Sequence, residues 1–200
     1  MRIGLLGPTE DDQAGFREAV SFLLADVEAD QIVYLGRGEF ADRAIDAWVR
    51  ELGGADDAES AFLARAAHLA TDGSPAQIEA LLETDAAISQ LARIRKIPPP
   101  PSRAIEMLDD RVVLFVHDKS ILDEEDIANA HLIVYGRGAE ADLRRFGKRT
   151  FFTPGPLSGG RVGVLESSDD GTSVALYDLS GMPVWREPIV SPGSKVIVAT

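Results

Sequence analysis

The chain has 200 residues, 45% of them hydrophobic and 26% charged. These are the proportions of an ordinary globular protein, long enough to bury a substantial core as one domain. With 33 acidic against 20 basic residues its net charge is −13, which disfavours nucleic acid and anionic membrane surfaces as partners. It contains no cysteine, so disulfides, thiolate metal sites and cysteine nucleophiles are excluded, and no apolar run approaches membrane-spanning length.

Met1 to Gly7 enter a strand at once and leave no room for the apolar core of a leader, so a cytoplasmic protein is the expectation. Ile3 to Leu6 read as a short buried parallel strand turned at Gly7-Pro8. Phe16, Ala19, Val20, Leu23 and Leu24 recur at helical spacing behind a cap at Asp11 or Asp12. Ile32 to Leu35 form a second strand, and Phe40, Ala44, Ile45, Trp48, Val49 and Leu52 a second amphipathic helix ended by Gly53-Gly54. This β-α-β-α opening implies a parallel sheet with right-handed crossovers.

No strand is legible between Asp56 and Arg95. Phe62, Leu63, Ala66 and Leu69 mark one helix, and Ser74-Pro75-Ala76-Gln77 opens another with a capping box and proline in its first turn. Pro98 to Pro101 read as a stiff extended connector. Val112 to Val116 are the strongest central-strand signal and run into His117-Asp118. Leu132 to Tyr135 and Thr150 to Thr153 are further strands. The tail then changes to strands at Arg161–Glu166, Thr172–Leu179, Val184–Val190 and Lys195–Val198, separated by Gly-containing turns and mostly antiparallel.

Two strand ends nearly repeat each other. Ile32-Val33-Tyr34-Leu35-Gly36-Arg37-Gly38 and Leu132-Ile133-Val134-Tyr135-Gly136-Arg137-Gly138 both pass through Gly-Arg-Gly toward a helical pattern. In an open α/β sheet ligands collect at the carboxyl ends of the strands. Gly136-Arg137-Gly138 is too short for a dinucleotide fingerprint, and Trp48 and Trp185 read as core or interface residues.

Taken with their order and spacing, these segments resemble the calcineurin-like metallophosphoesterases, in particular the small single-domain bacterial and archaeal phosphodiesterases. Met1 to Glu10 are similar to the first strand and its Asp-Thr-His turn, and Gly36-Arg37 stands where the family has Gly-Asp. Val112 to His117 resembles the strand ending in a metal-binding histidine. Gly136-Arg137-Gly138-Ala139 stands at Gly-His-Thr-His, and Thr153-Pro154-Gly155-Pro156 at Asn-Pro-Gly-Ser. The resemblance implies a layered α/β/β/α sandwich with a parallel-rich N-terminal sheet and a C-terminal antiparallel meander; the helical insert at about 56–95 departs from the family plan, and a single domain spanning residues 1–200 is expected.

The same alignment implies that the ligands have been replaced. Pro8 and Glu10 stand at the first Asp and His, Arg37 at the bridging Asp, and Arg137 and Ala139 at both histidines of the last motif. The Gly-Asn segment due near Ile94 to Pro101 has no counterpart, and only His117 survives. An arginine stays protonated and has no acceptor, so it cannot ligate a metal. The expectation is therefore a catalytically inactive binding, scaffold or regulatory protein without cofactor or metal, its enzyme status left open.

The candidate anion site comprises Arg37, Arg137, His117, Thr9, Glu10 and Thr153, with guanidinium groups suited to grip phosphate or carboxylate. The bland alternative is a salt-bridge network in which Arg37 and Arg137 pair with Glu10, Asp118 or Glu39. A second alternative is a divergent phosphodiesterase using Glu10, Asp11, Asp12, His117 and Asp118 around one metal. The partner is a protein, a small phosphate-containing ligand or both, with a homodimer left open and the helices of Asp56–Arg95 as the partner-specific surface.

Overall fold

The computed structural model describes residues 1–53, 58–169 and 171–189. Strand β1 (Arg2–Leu6) leads into α1 (Gln13–Ala25) and returns as β2 (Gln31–Tyr34), parallel to β1 with Leu6 opposite Tyr34. Of the two capping candidates Asp12 does the work, its side chain accepting the Gly15 N–H at 2.9 Å and so satisfying one of the helix's orphan donors. Three helices follow: α2 (Phe40–Gly53), α3 (Ala58–Asp72) and α4 (Pro75–Leu91). They pack on one another and form a compact unit within Gly38 to Arg95, distinct from the unit made by the described residues of 1–37 and 96–189. The capping box is present as read, with Ser74 and Gln77 bonding reciprocally at the start of α4.

Residues 94–96 form a short strand, β3 (Ile94–Lys96), at one edge of the first sheet. The helical reading up to Arg95 is corrected there. Three residues with no alternation carry no period, and only their place beside β2 makes them a strand. The chain continues as β4 (Ala104–Leu108), β5 (Arg111–Val116), a short 3-10 turn at Lys119–Ile121, α5 (Glu124–Asn129) and β6 (Leu132–Tyr135). Then come β7 (Asp142–Phe146), β8 (Arg149–Thr153), β9 (Arg161–Ser168), β10 (Gly171–Asp178) and β11 (Pro183–Pro188).

The helical pattern expected after Gly138 is also corrected, because Asp142 to Phe146 are β7. This segment pairs antiparallel with β8, Leu143 opposite Phe152 and Phe146 opposite Arg149. The Phe146 and Phe151 rings meet edge to face at 5.6 Å, a cross-strand contact that outweighs weak helix propensity. The strand expected at Lys195–Val198 lies outside the described residues.

Two mixed sheets result. One has six strands in the order β11-β10-β9-β1-β2-β3, the other five in the order β4-β5-β6-β8-β7. The C-terminal meander is continuous with the N-terminal sheet, because β9 lies antiparallel to β1, Leu5 opposite Gly163. In the second sheet β5, β6 and β8 run parallel, with β4 and β7 antiparallel at the edges.

The sheets face each other across one core. Ile3, Leu5, Val33 and Leu35 of the first meet Val113, Phe115, Leu132, Val134 and Phe152 of the second, together with Leu165, Val174 and Leu176. The alternate residues point outward into the covering helices. Phe16 of α1 packs edge to face on Tyr34 at 5.9 Å, while Leu114, Val116, Ile133 and Tyr135 pack with Ile121, Leu122 and Ile127. Both faces of the central strands are thus buried, which is why their sequences are continuous apolar runs rather than alternating ones. Trp185 is half-buried and sits edge to face on Phe152 at 5.6 Å.

Candidate functional site

β1, β2, β5, β6 and β8 all end on the same side of the sandwich, and the turns that follow them hold the residues of interest. The junction is built on close backbone approach. A Cβ on Gly7 would collide with the Gly155 carbonyl, and one on Gly136 with the Leu35 carbonyl. Gly36 is required for a different reason: the Tyr34 ring folds back over it. The Pro8 carbonyl accepts Leu157 N at 2.9 Å, and the Thr9 N–H reaches the Tyr34 hydroxyl at 3.4 Å. Burial pushes the Tyr34 phenol up, against the lowering contact from Thr9.

His117 and Asp118 follow β5. The His117 Nδ1 lies 2.8 Å from the Leu35 carbonyl, so this ring atom donates to the other sheet and ties the two sheet ends together. The His117 carbonyl accepts Arg137 N at 2.6 Å. Asp118 is buried. One of its carboxylate oxygens accepts Ser120 N at 2.9 Å and the other the Arg137 guanidinium at 2.6 Å. The Ser120 N–H first, and Arg137 second, hold the carboxyl down at about 2. Asp118 also caps the short 3-10 turn.

Arg37 and Arg137 follow strands of opposite sheets, two residues beyond Leu35 and one beyond Gly136, the pair whose backbones meet there. Their states differ. The Arg137 side chain is 73% exposed but anchored at one nitrogen by Asp118. Arg37 is exposed and has no ion pair or hydrogen bond among the described residues. The Lys119 ammonium lies 4.5 Å from the centre of the Tyr135 ring, an additional cation beside β6.

Thr9 is half-buried and Glu10 exposed. Thr153 is fully buried, its hydroxyl accepting Gly155 N at 3.1 Å, so it braces the β8 turn from inside. Sequence reasoning did not single out Tyr34 or Lys119. A tyrosine ends both repeated strands, and that coincidence was the available signal.

The donor set does not fit a two-metal centre. Such a centre needs several carboxylates and imidazoles with free acceptor atoms, whereas here one imidazole nitrogen and one carboxylate are already engaged. Among the described residues no group of three or more histidine, aspartate or glutamate side chains is placed to hold a metal ion.

No protein-family profile and no curated protein matches the sequence. Solved structures do match. An archaeal phosphodiesterase is 16% identical with a TM-score of 0.52, the match covering 88% of this chain and 99% of that one. A predicted phosphoesterase from Streptococcus pneumoniae is 14% identical with a TM-score of 0.53, covering 93% and 95%. Vps29 from Entamoeba histolytica, complexed with zinc, is 13% identical with a TM-score of 0.51, covering 95% and 100%. The fold is thus that of the calcineurin-like metallophosphoesterases, as the strand-end motifs implied. No helix among the described residues is long and apolar enough to cross a membrane.

Proposed function

We propose that this chain is a phosphoesterase-fold protein that binds rather than hydrolyses, taking a small phosphate-bearing anion at its strand ends. The observation that carries the reading is two exposed guanidinium groups at strand ends where the resemblance puts metal ligands, Arg37 without a counter-ion among the described residues and Arg137 held by Asp118 at one nitrogen but 73% exposed. Positive charge is thereby supplied by fixed side chains. Arg37 and the outward donors of Arg137 grip the anion, each charged hydrogen bond contributing about 1.5–3 kcal/mol. Thr9 and His117 flank the seat, while Glu10 and Asp118 limit its net charge. The helical unit from Gly38 to Arg95 is the region available for a partner-specific role. The first strand of the support is chemical: a guanidinium can hold phosphate but cannot activate water as a metal does.

Thermal unfolding in the presence of inorganic phosphate tests this. Phosphate raises the melting temperature of the parent protein but not of the Arg37→Ala/Arg137→Ala variant. The same preparations show no hydrolysis of a generic phosphodiester with manganese. Manganese-dependent turnover that disappears in His117→Ala would replace this reading with a divergent phosphodiesterase.

A further inference from the structure

Strand β4 is the outermost strand of the five-stranded sheet. It is joined to β5 through only Asp109 and Asp110, with Leu108 opposite Arg111. In such a two-residue hairpin the flanking pair exchanges hydrogen bonds, and bonded pairs then alternate along the strands. Glu106 and Ala104 are the next bonded positions. The N–H and C=O of Ile105 and Met107 therefore point away from β5, toward the open edge.

These same residues carry exposed apolar side chains, Ile105 at 59% and Met107 at 58%. Edge strands are ordinarily blunted by lysine, proline, a bulge or a cover. Ala104-Ile105-Glu106-Met107-Leu108 has no lysine or proline and its register with β5 contains no bulge; its one charge is the half-buried Glu106, on the face of Ala104 and Leu108. Beside Ile105 a groove of about 270 Å³ runs over Val112 and Leu114, walled by Asp123, Glu125 and Asp126 of the α5 segment. Arg103 offsets part of this wall, at 2.7 Å from Asp126 and 3.8 Å from Asp123. Glu125 has no ion-pair partner among the described residues.

We infer that this edge accepts an extended segment of a partner protein as an added strand, the segment alternating apolar and basic residues. Main-chain hydrogen bonds form to Ile105 and Met107; the basic side chains lie on the face that carries Ile105, cover it with their aliphatic stems and reach Glu125 and Asp123, while the apolar side chains fall on the opposite face. A second copy of the chain is the wrong occupant on charge grounds, since it brings another net charge of −13 and the same acidic wall. This surface goes beyond the strand-end anion site and stands whether or not phosphate binds there.

The test uses the full chain with a synthetic peptide of about eight residues alternating lysine and valine, and a glutamate–valine peptide as its opposite. The lysine peptide binds and slows amide hydrogen exchange at Ile105 and Met107; the glutamate peptide does neither. Met107→Pro deletes one outward N–H while sparing the bonds to β5, as proline on an edge permits. It weakens binding at least tenfold, as does Ile105→Ser, whereas Met182→Ser on a distant turn leaves it unchanged. If Met107→Pro does not fold, Ile105→Ser with the exchange pattern decides. Equal binding to the parent and both β4 variants, no binding by the lysine peptide, or protection elsewhere than β4 overturns the proposal. So does a concentration-dependent dimer of the parent that Met107→Pro abolishes, since that assigns the edge to a second copy.

Discussion

Replacing Asp118 by asparagine separates the two roles of the Asp118–Arg137 pair. Asparagine keeps an oxygen for Ser120 N and so retains the cap of the short turn, but it loses the charge facing Arg137. A carboxyl held at about 2 rather than 3.8 corresponds to an upper bound of about 2 kcal/mol of folded-state preference. The Ser120 contribution partly survives, and the 73% exposed guanidinium is screened by solvent, which reduces the loss to about 1 kcal/mol. For a chain of this size that is a fall in melting temperature of about 2–4 °C.

The sign with pH is fixed by the direction of the shift. A carboxyl held low stabilises the fold above its unfolded value, and the benefit fades as pH falls through 3.8 toward about 2. Thermal unfolding of the parent and of Asp118→Asn at pH 7, 5, 4 and 3 should show the full difference at the two higher values and a shrinking one below. Phosphate should act in the opposite direction. With its internal counter-ion gone, Arg137 is released to the ligand, and phosphate stabilises Asp118→Asn more than it stabilises the parent. A variant as stable as the parent at pH 7, a difference that does not change with pH, or a smaller response to phosphate would refute the reasoning.

Gly136→Ala forces a Cβ onto the Leu35 carbonyl, the atom that also accepts from His117. Overpacking of this kind costs about 1–3 kcal/mol, measurable as a lower urea midpoint with an unchanged slope. Thr153→Val removes the oxygen that accepts Gly155 N inside a fully buried turn. It should cost about 1–3 kcal/mol in urea unfolding, with the phosphate response retained because the hydroxyl is fully buried and engaged by Gly155 N. Ser74→Ala abolishes the capping box of α4 and should cost about 1 kcal/mol, seen as faster amide exchange in the first turn of that helix.

Local chemistry was legible in the sequence because its determinants lie within a few residues. The Ser74-Pro75-Ala76-Gln77 start of α4 specifies itself, as does the glycine punctuation of the β9–β11 meander. The central strands show as apolar runs because both their faces are buried, and the strand-end residues Arg37, His117 and Arg137 are read directly from the runs they follow. Other features have no local cause. β3 and β4 are strands because β2 and β5 lie beside them, and β7 is a strand because Phe152 and Phe151 supply its cross-strand partners.

The same division runs through the site. The identity of the two side chains already determined that Arg37 and Arg137 could not ligate metal ions, since a guanidinium has no acceptor. Only the packed structure decided that they play different parts, Arg137 held by a buried carboxylate and Arg37 open to solvent. That distinction depends on Asp118, Leu35 and Gly136, residues brought together from three strand ends on two sheets. Contacts between residues so far apart in the chain exist only once the sheets have closed on their common core.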